Sequence, residues 1–317
     1  MSYLILIIGF ILLIKGADIF VEGASNIAKK FGIPPIVVGL TIVSIGTSAP
    51  ELAVSLIASF EGNNGITIGN VLGSNIFNTL MVLGVTSIIT PILIKKSTML
   101  KDYIVNIVVT ISLFMLTFGR ILFNKEVGLS RLSGIILILG CVVYTLYLIK
   151  TAKSEGEDNE TNNNIKILAS IIKIIVGIAG IILGGNLVVN SASNIAYSFG
   201  LSDKLVGLTI VAIGTSLPEL VTSIIAAIKG ENDIAIGNVL GSNIFNILLI
   251  LGVSSSINPI LISSSLLVDI LFLIVVSLIL GVFMFKGKKD KLALGKIEGL
   301  TLVILYIGYM GYIIFRN

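Results

Sequence analysis

Apolar residues run through this chain in long blocks that short polar intervals interrupt. Ten blocks stand out, approximately 2–22, 34–60, 66–91, 101–119, 128–149, 167–190, 205–229, 234–256, 265–285 and 297–315. Each is close to or above the roughly 20 apolar residues that a helix needs to cross the hydrocarbon core of a bilayer. The pattern predicts an all-α integral membrane protein with ten transmembrane helices. The first block, "SYLILIIGFILLI", lacks the basic start and small-residue cleavage site of a signal peptide, so it counts as a span. The clearest polar break, "KTAKSEGEDNETNNNIK" at 150–166, reads as a flexible cytoplasmic linker between segments 1–149 and 167–317. Its Glu155, Glu157, Asp158 and Glu160 lack the Asp and Gly spacing of a calcium loop, which favours a plain solvated segment.

The two segments repeat each other. Residues 38–78 align with 206–246 without a gap, and 30 of the 41 positions are identical. Five spans per half is an odd number, so the second copy enters the membrane upside down. Inverted repeats of this kind are a design of secondary transporters, which hold their cargo where the halves meet.

Polar residues recur inside the repeat. "GTSAPEL" at 46–52 returns as "GTSLPEL" at 214–220. Helical spacing puts Thr47, Ser48 and Glu51 on one side of the second span, with Thr215, Ser216 and Glu219 as their counterparts. Pro50 and Pro218 cannot donate to the carbonyl four residues back, so the helix is expected to bend near Gly46 and Thr47 and to free carbonyls around Ser44 and Ile45, with Ala212 matching Ser44. Loose backbone within a membrane is tolerated where it lines a cavity or binds something. "GNVLGSNIFN", identical at 69–78 and 237–246, makes a stripe of Asn70, Ser74 and Asn78 and a second of Asn238, Ser242 and Asn246. Gly69 and Gly73 form a small face that lets another helix approach. A bare carboxylate beside such a stripe costs several kcal/mol in a bilayer, which points to Glu51 and Glu219 as functional. Asp18 and Glu22 at the end of span one, and Asp269 at the start of span nine, read instead as interfacial charges.

Composition narrows the chemistry. The chain is 55% hydrophobic and 12% charged, with no histidine, no tryptophan and one cysteine, Cys141, which reads as apolar filler in span five. Without imidazole and with a single thiol, zinc, copper and iron have no ordinary ligand set, so any metal handled is a hard, oxygen-liganded ion. Lys and Arg set the orientation. With the first residue outside, the cytoplasmic intervals hold fourteen of them and the opposite face five. Both termini then face outward, and the net charge of +4 follows from this asymmetry without a nucleic-acid partner.

The paired motifs offer two carboxylates, hydroxyls, carboxamide oxygens and freed carbonyls. Calcium takes six to eight oxygens in flexible geometry, and sodium accepts the same hard ligands. No Lys or Arg lies near the motifs to receive an anion. The motifs "GTSAPEL", "GTSLPEL" and the doubled "GNVLGSNIFN" resemble the alpha repeats of the calcium/cation antiporter superfamily, in its prokaryotic sodium/calcium exchanger-like branch. The resemblance covers essentially the whole chain. It implies calcium ligands at Glu51 and Glu219 and at the carbonyls of Thr47 and Thr215. It implies flanking sodium positions at Ser48, Ser74, Ser216 and Ser242 with the carbonyls of Ser44 and Ala212. Potassium-dependent relatives carry Asp where this chain has Asn78 or Asn246, so the site has two carboxylates and resembles the potassium-independent exchangers.

The expected function is secondary active antiport of sodium against calcium, by alternating access, in a multi-pass monomer of the cell membrane with no cofactor. The alternative is proton/calcium exchange on the same fold, with Glu carrying protons. A cation channel would gather identical motifs around an open axis. A hydrolase would need a His or Lys placed to activate serine.

Overall fold

A computed structural model describes residues 2–119, 127–155, 165–200, 212–262, 264–285 and 291–316. The first half contains α1 (Ser2–Phe31), α2 (Pro35–Val38), a π-helical turn at Gly39–Val43, α3 (Ser44–Thr47), α4 (Ala49–Phe60), α5 (Asn64–Phe77), a π-helical turn at Asn78–Val82, and α6 (Leu83–Ile89). Strand β1 (Ile92–Lys95), α7 (Lys96–Phe118), strand β2 (Gly128–Leu129) and α8 (Arg131–Glu155) complete it. The second half follows with α9 (Ile167–Ser198), α10 (Ala212–Thr215), α11 (Leu217–Ile228), α12 (Asn232–Phe245), a π-helical turn at Asn246–Leu251, and α13 (Gly252–Ile257). Strand β3 (Ile260–Leu261), α14 (Ser264–Phe285), strand β4 (Lys291–Leu294) and α15 (Lys296–Arg316) close the chain.

Among the described residues, eight helical runs are long and apolar enough to cross a membrane, and a ninth is the pair Pro35–Thr47 and Ala49–Phe60, bent by 51°. The corresponding stretch of the second half is described from Ala212 onward, as α10 and α11. Helix is the natural response to lipid, because it satisfies each backbone group within its own segment. The run Asn232–Ile257 is the most enclosed, with 94% of its apolar window buried. α5, α12 and the π-turns after them therefore make the centre, and the other helices surround them.

Several expectations shift. α1 runs nine residues past the predicted end at 22, and α9 reaches Ser198 rather than 190. The two pack along each other through glycines. A Cβ on Gly16 would lie 2.7 Å from the nitrogen of Ile181, and one on Gly184 would lie 2.5 Å from that of Leu13. Any larger residue would push the backbones apart. The 150–166 linker begins inside α8, which continues to Glu155; Glu157, Asp158 and Glu160 lie outside the described residues.

The all-helical expectation also missed two short antiparallel ribbons. Ile92 to Lys95 pair with Leu294 to Lys291, and Gly128 and Leu129 pair with Leu261 and Ile260. Strands of two to four residues are too short to show a period of two, and they form where loop backbones must find partners near the ends of the bundle.

Helix ends repeat between halves along with the sequence. Gly62 and Gly230 take φ of 78° and 79°. At each, the following N–H bonds back five residues, Asn63 to Ala58 at 2.8 Å and Glu231 to Ala226 at 2.9 Å. This is a Schellman cap, and its left-handed residue is best supplied by glycine. Ion pairs tie the far end of α1 to its neighbours, among them Asp18 with Lys229 at 2.7 Å, Glu22 with Lys173, and Lys29 with Glu231 at 2.9 Å. Asp18 and Glu22 are thus half-exposed and paired, in keeping with an interfacial reading.

Candidate cation site

The two breaks of the repeated motif set the site. The expected bend falls one to two residues later than Gly46 and Thr47, at Ser48 with φ −82° and ψ 9°, and likewise at Ser216 with φ −95° and ψ 7°. The reason lies in Pro50 and Pro218. Each occupies the first turn of the following helix, α4 or α11, where a missing N–H leaves nothing unpaired. The bend does not free the Ser44 carbonyl, which accepts from the Ser48 N–H at 3.0 Å.

Thr47, Ser48 and Glu51 are all buried, and the bonds of Ser48 and Glu51 cross to the other half rather than joining the two residues to each other. Each serine serves the other half instead. Ser48 Oγ donates to Oε1 of Glu219 at 2.7 Å and lies 2.9 Å from Ser242 Oγ. Ser216 Oγ donates to Oε1 of Glu51 at 2.9 Å and lies 3.0 Å from Ser74 Oγ. Ser74 and Ser242 close the two triangles, each 3.4 Å from the glutamate of its own half. The contacts are reciprocal, so residue i of one half meets residue j of the other and the converse, as a two-fold relation requires. All six side chains are buried, and Glu51 and Glu219 are 0% and 1% exposed.

A second tier fixes the first. Asn70 Nδ2 donates to the Glu51 carbonyl at 3.2 Å and to Ser55 Oγ at 2.9 Å. Asn238 repeats this on the Glu219 carbonyl at 3.3 Å and Ser223 Oγ at 2.9 Å, and its Oδ1 accepts from Thr47 Oγ1 at 2.9 Å. Beneath them an amide network crosses between halves. Asn75 donates to the Asn243 carbonyl at 3.1 Å, Asn243 to Thr79 Oγ1 at 2.9 Å, and Asn246 to Asn75 Oδ1 at 3.0 Å. The π-turns begin at Asn78 and Asn246, and such turns cluster at functional sites. Sequence reasoning did not single out Ser55, Ser223, Asn75, Asn243 or Thr79. The signal was present for the first four, which are polar and identical in both halves.

Several acceptors are left over here. Oε2 of Glu51, Oε2 of Glu219, Oδ1 of Asn78 and Oδ1 of Asn246 are all buried without a hydrogen-bond partner. Asn78 Nδ2 is likewise buried without a partner; buried acceptors are normally satisfied, and carboxylate and amide oxygens left over in one buried polar cluster suit a hard cation. Thr215 is half-buried and Ala212 opens α10. Cys141 is buried, as its sequence reading had it. Two cavities reach the cluster. One of about 390 Å³ has Gly69, Asn70, Gly73, Ser74 and Thr215 in its wall and extends to Asp269 and Arg316. The other, about 370 Å³, lies between Pro50, Ala53, Gly185, Asn190, Thr215 and Pro218.

A surplus of buried oxygens at the junction of broken helices, in a bundle built to span lipid, defines the class: a membrane transporter of cations. Comparison with known proteins narrows it. The family model for sodium/calcium exchanger proteins matches residues 1–150 and 169–315. The chain is 32% identical over 344 residues to the sodium/calcium exchanger MaX1 of Methanosarcina acetivorans, covering 98% of this chain and 97% of that one. It is 38% identical over 265 residues to the inner membrane protein YrbG of Escherichia coli, covering 80% and 79%. Solved structures of the sodium-calcium exchanger NCX_Mj superpose with a TM-score of 0.83 at 33% identity, over 98% of each chain. The chain belongs to the sodium/calcium exchanger family, whose members are cation antiporters of the membrane.

Proposed function

We propose that this protein exchanges sodium for calcium by alternating access, through ten spans arranged as two inverted halves, 1–149 and 167–317, joined by the 150–166 linker. Glu51 and Glu219, with the carbonyls of Thr47 and Thr215, take calcium. The hydroxyls of Ser48, Ser74, Ser216 and Ser242, with the carbonyls of Ser44 and Ala212, hold sodium on either side, and Asn78 and Asn246 bring neutral amide oxygens to the centre. One observation carries the reading. Each glutamate has one oxygen held by serines from both halves and one buried oxygen with no donor, so the pair is oriented and left short of positive charge. Two carboxylates match the charge of one calcium ion.

The inverted arrangement is supported by the ties between loops. β1 with β4, and Lys29 with Glu231, join intervals that ten alternating spans put on the cytoplasmic side. β2 with β3, and Asn258 Nδ2 with the Ser59 carbonyl at 3.5 Å, join intervals on the outer side. Both termini then face outward from the cell membrane, and the monomer holds a complete site. The choice of sodium and calcium draws on MaX1 and NCX_Mj, which bear those ions in their names.

The test is flux. Sodium-loaded liposomes containing the protein should accumulate radioactive calcium, and Glu51→Gln or Glu219→Gln should each abolish it. Uptake that survives both changes overturns the assignment. The orphaned carboxylate oxygens could equally accept protons, which favours one rival, proton/calcium exchange. Calcium uptake driven by a pH gradient at zero sodium would select that rival.

A further inference from the structure

Asp269 lies outside the repeated motifs, and its sequence position suggested an interfacial charge. The structure buries it, with its side chain 3% exposed, in the wall of the cavity that reaches Ser74 and Thr215. There it accepts two parallel hydrogen bonds from Arg316, Nη1 to Oδ1 and Nη2 to Oδ2, each 3.0 Å. The Arg316 guanidinium lies 5.2 Å from the centre of the Tyr312 ring and is one-fifth exposed. Tyr309 stacks on Phe272 with ring centres 4.7 Å apart, which holds α15 against α14 beside the pair. Among the described residues, Asp269 and Arg316 are the only charged side chains in that cavity wall.

A bidentate pair inside an apolar wall has two properties. Its planar fork fixes the geometry. Its charges cancel at a distance, so ions in the cavity meet little net field from it. Losing either partner would leave a single charge beside the route to the site, where screening by solvent is poor. A bare Asp269 would attract and hold cations short of Ser74. Arg316 without Asp269 would keep its positive charge and repel them.

We propose that the Asp269–Arg316 pair sets the electrostatic potential of the passage to the cation site, with Arg316 withholding the Asp269 carboxylate from passing ions so that they are admitted without being trapped. The two residues act through the potential rather than by touching bound cargo, so they are positioning residues. The proposal rests on the cation-exchange reading above, and its test separates the two.

The test has two readouts on the full chain. The first is chemical. Gly69→Cys puts a thiol in the cavity wall, where no described atom lies within 4 Å of an added Cβ. Its rates of reaction with a trimethylammonium and a sulfonate methanethiosulfonate are compared, and the unaltered chain, whose one cysteine is buried, serves as the blank. The ratio of cationic to anionic rate should rise about three- to tenfold on adding Arg316→Gln and fall by a similar factor on adding Asp269→Asn. It should return near its starting value when both changes are combined. Arg316→Lys, which keeps the charge, should leave it within about twofold. Raising external salt from about 10 mM to about 1 M should shrink the differences without erasing them, since the Debye length falls from about 30 Å to about 3 Å but a partly buried charge is screened less than an exposed one. The second readout is transport: half-saturating external calcium should fall in Arg316→Gln and rise in Asp269→Asn.

A pair that merely ties α14 to α15 gives another pattern. Both single changes then shift in the same direction, or leave the thiol ratio within twofold, and the double change is no better than either. Any of these outcomes overturns the proposal. If one arginine variant does not fold, Asp269→Asn against the parent carries the same comparison with opposite sign. Should no form of the protein move calcium, the exchange reading fails while the thiol ratio still decides the role of the pair.

Discussion

The decapeptide GNVLGSNIFN occurs twice with no difference in sequence, and among the described residues its two copies have different neighbours. In the second half a Cβ on Gly237 would lie 2.8 Å from the Ile36 carbonyl oxygen, and one on Gly241 would lie 2.7 Å from that of Leu40. Both glycines press on the broken helix of the first half, and Asn238 between them is fully buried. In the first half Gly69 and Gly73 have no described atom within 4 Å of an added Cβ, Asn70 is half-buried, and all three line the larger cavity. Residues 207–211, which align with 39–43, lie outside the described set. Among the described residues, then, the close helix approach expected at Gly69 and Gly73 is found at their counterparts. The close approach is thus seen where both partners are described, at Gly237 and Gly241 against α2 and the π-turn that follows it.

The largest effects should ignore this asymmetry. Glu51 and Glu219 make the same reciprocal bonds, so Glu51→Gln and Glu219→Gln should each lower calcium uptake by a factor of about 100 or more, as loss of one charge from a buried set costs about 3 kcal/mol. Calcium flux in liposomes measures it. If one change is tolerated and the other is not, the two carboxylates are unequal partners and the two-fold picture of the site breaks.

Next in size is the packing contrast itself. Gly241→Ala would drive a methyl group into the Leu40 backbone and should destabilise by about 2 kcal/mol. Gly73→Ala meets no described atom and should be neutral or stabilise by up to about 1 kcal/mol through better helix propensity. Thermal unfolding in detergent should therefore move in opposite directions. Equal shifts would show that the halves are packed alike in solution.

Much of this was legible because a bilayer leaves few options. Long apolar runs with satisfied backbones must be helices, and a gap-free 41-residue repeat marks the two halves. Glu51, Glu219, Ser48, Ser74, Ser216 and Ser242 were found from the same repeat, since residues that are polar and preserved twice in an apolar chain need a reason. Pairing between halves was not legible. Helical spacing put Ser48 and Glu51 on one side of the span but named no partner for either, and the Ser48 hydroxyl goes to Glu219 of the other half, a contact that periodicity within one span does not encode. The Asp269–Arg316 pair was also hidden. Its members are 47 residues apart and belong to no repeat, so only the packing of α14 on α15 brings them together.

Smaller effects separate the amides. Asn246 donates to Asn75 Oδ1, while Asn78 has no hydrogen-bond partner at either side-chain atom. Asn246→Ala strands the Asn75 oxygen and should cost about 1–2 kcal/mol in thermal unfolding. Asn78→Ala strands nothing, so its loss should stay below about 1 kcal/mol and appear mainly as weaker calcium binding in isothermal titration. Equal destabilisation by the two would remove the distinction between a structural and a cargo-facing amide.

The smallest expected effect is at the one site position where the halves differ in sequence, Ser44 against Ala212. Ser44 Oγ donates to the Leu40 carbonyl at 2.8 Å, a bond within its own helix that adds little to the helical ladder. Ser44→Ala therefore makes the first half match the second at a cost of no more than about 0.5 kcal/mol in thermal unfolding. Half-saturation by sodium should stay within about twofold, because the Ser44 backbone oxygen, which lies 3.5 Å from Ser242 Oγ, remains in place. A larger loss of sodium dependence would mean that the hydroxyl itself serves a sodium position. The halves would then differ in ligand chemistry as well as in packing, and the sodium positions on the two sides of Glu51 and Glu219 would have unequal affinities even after the halves exchange roles.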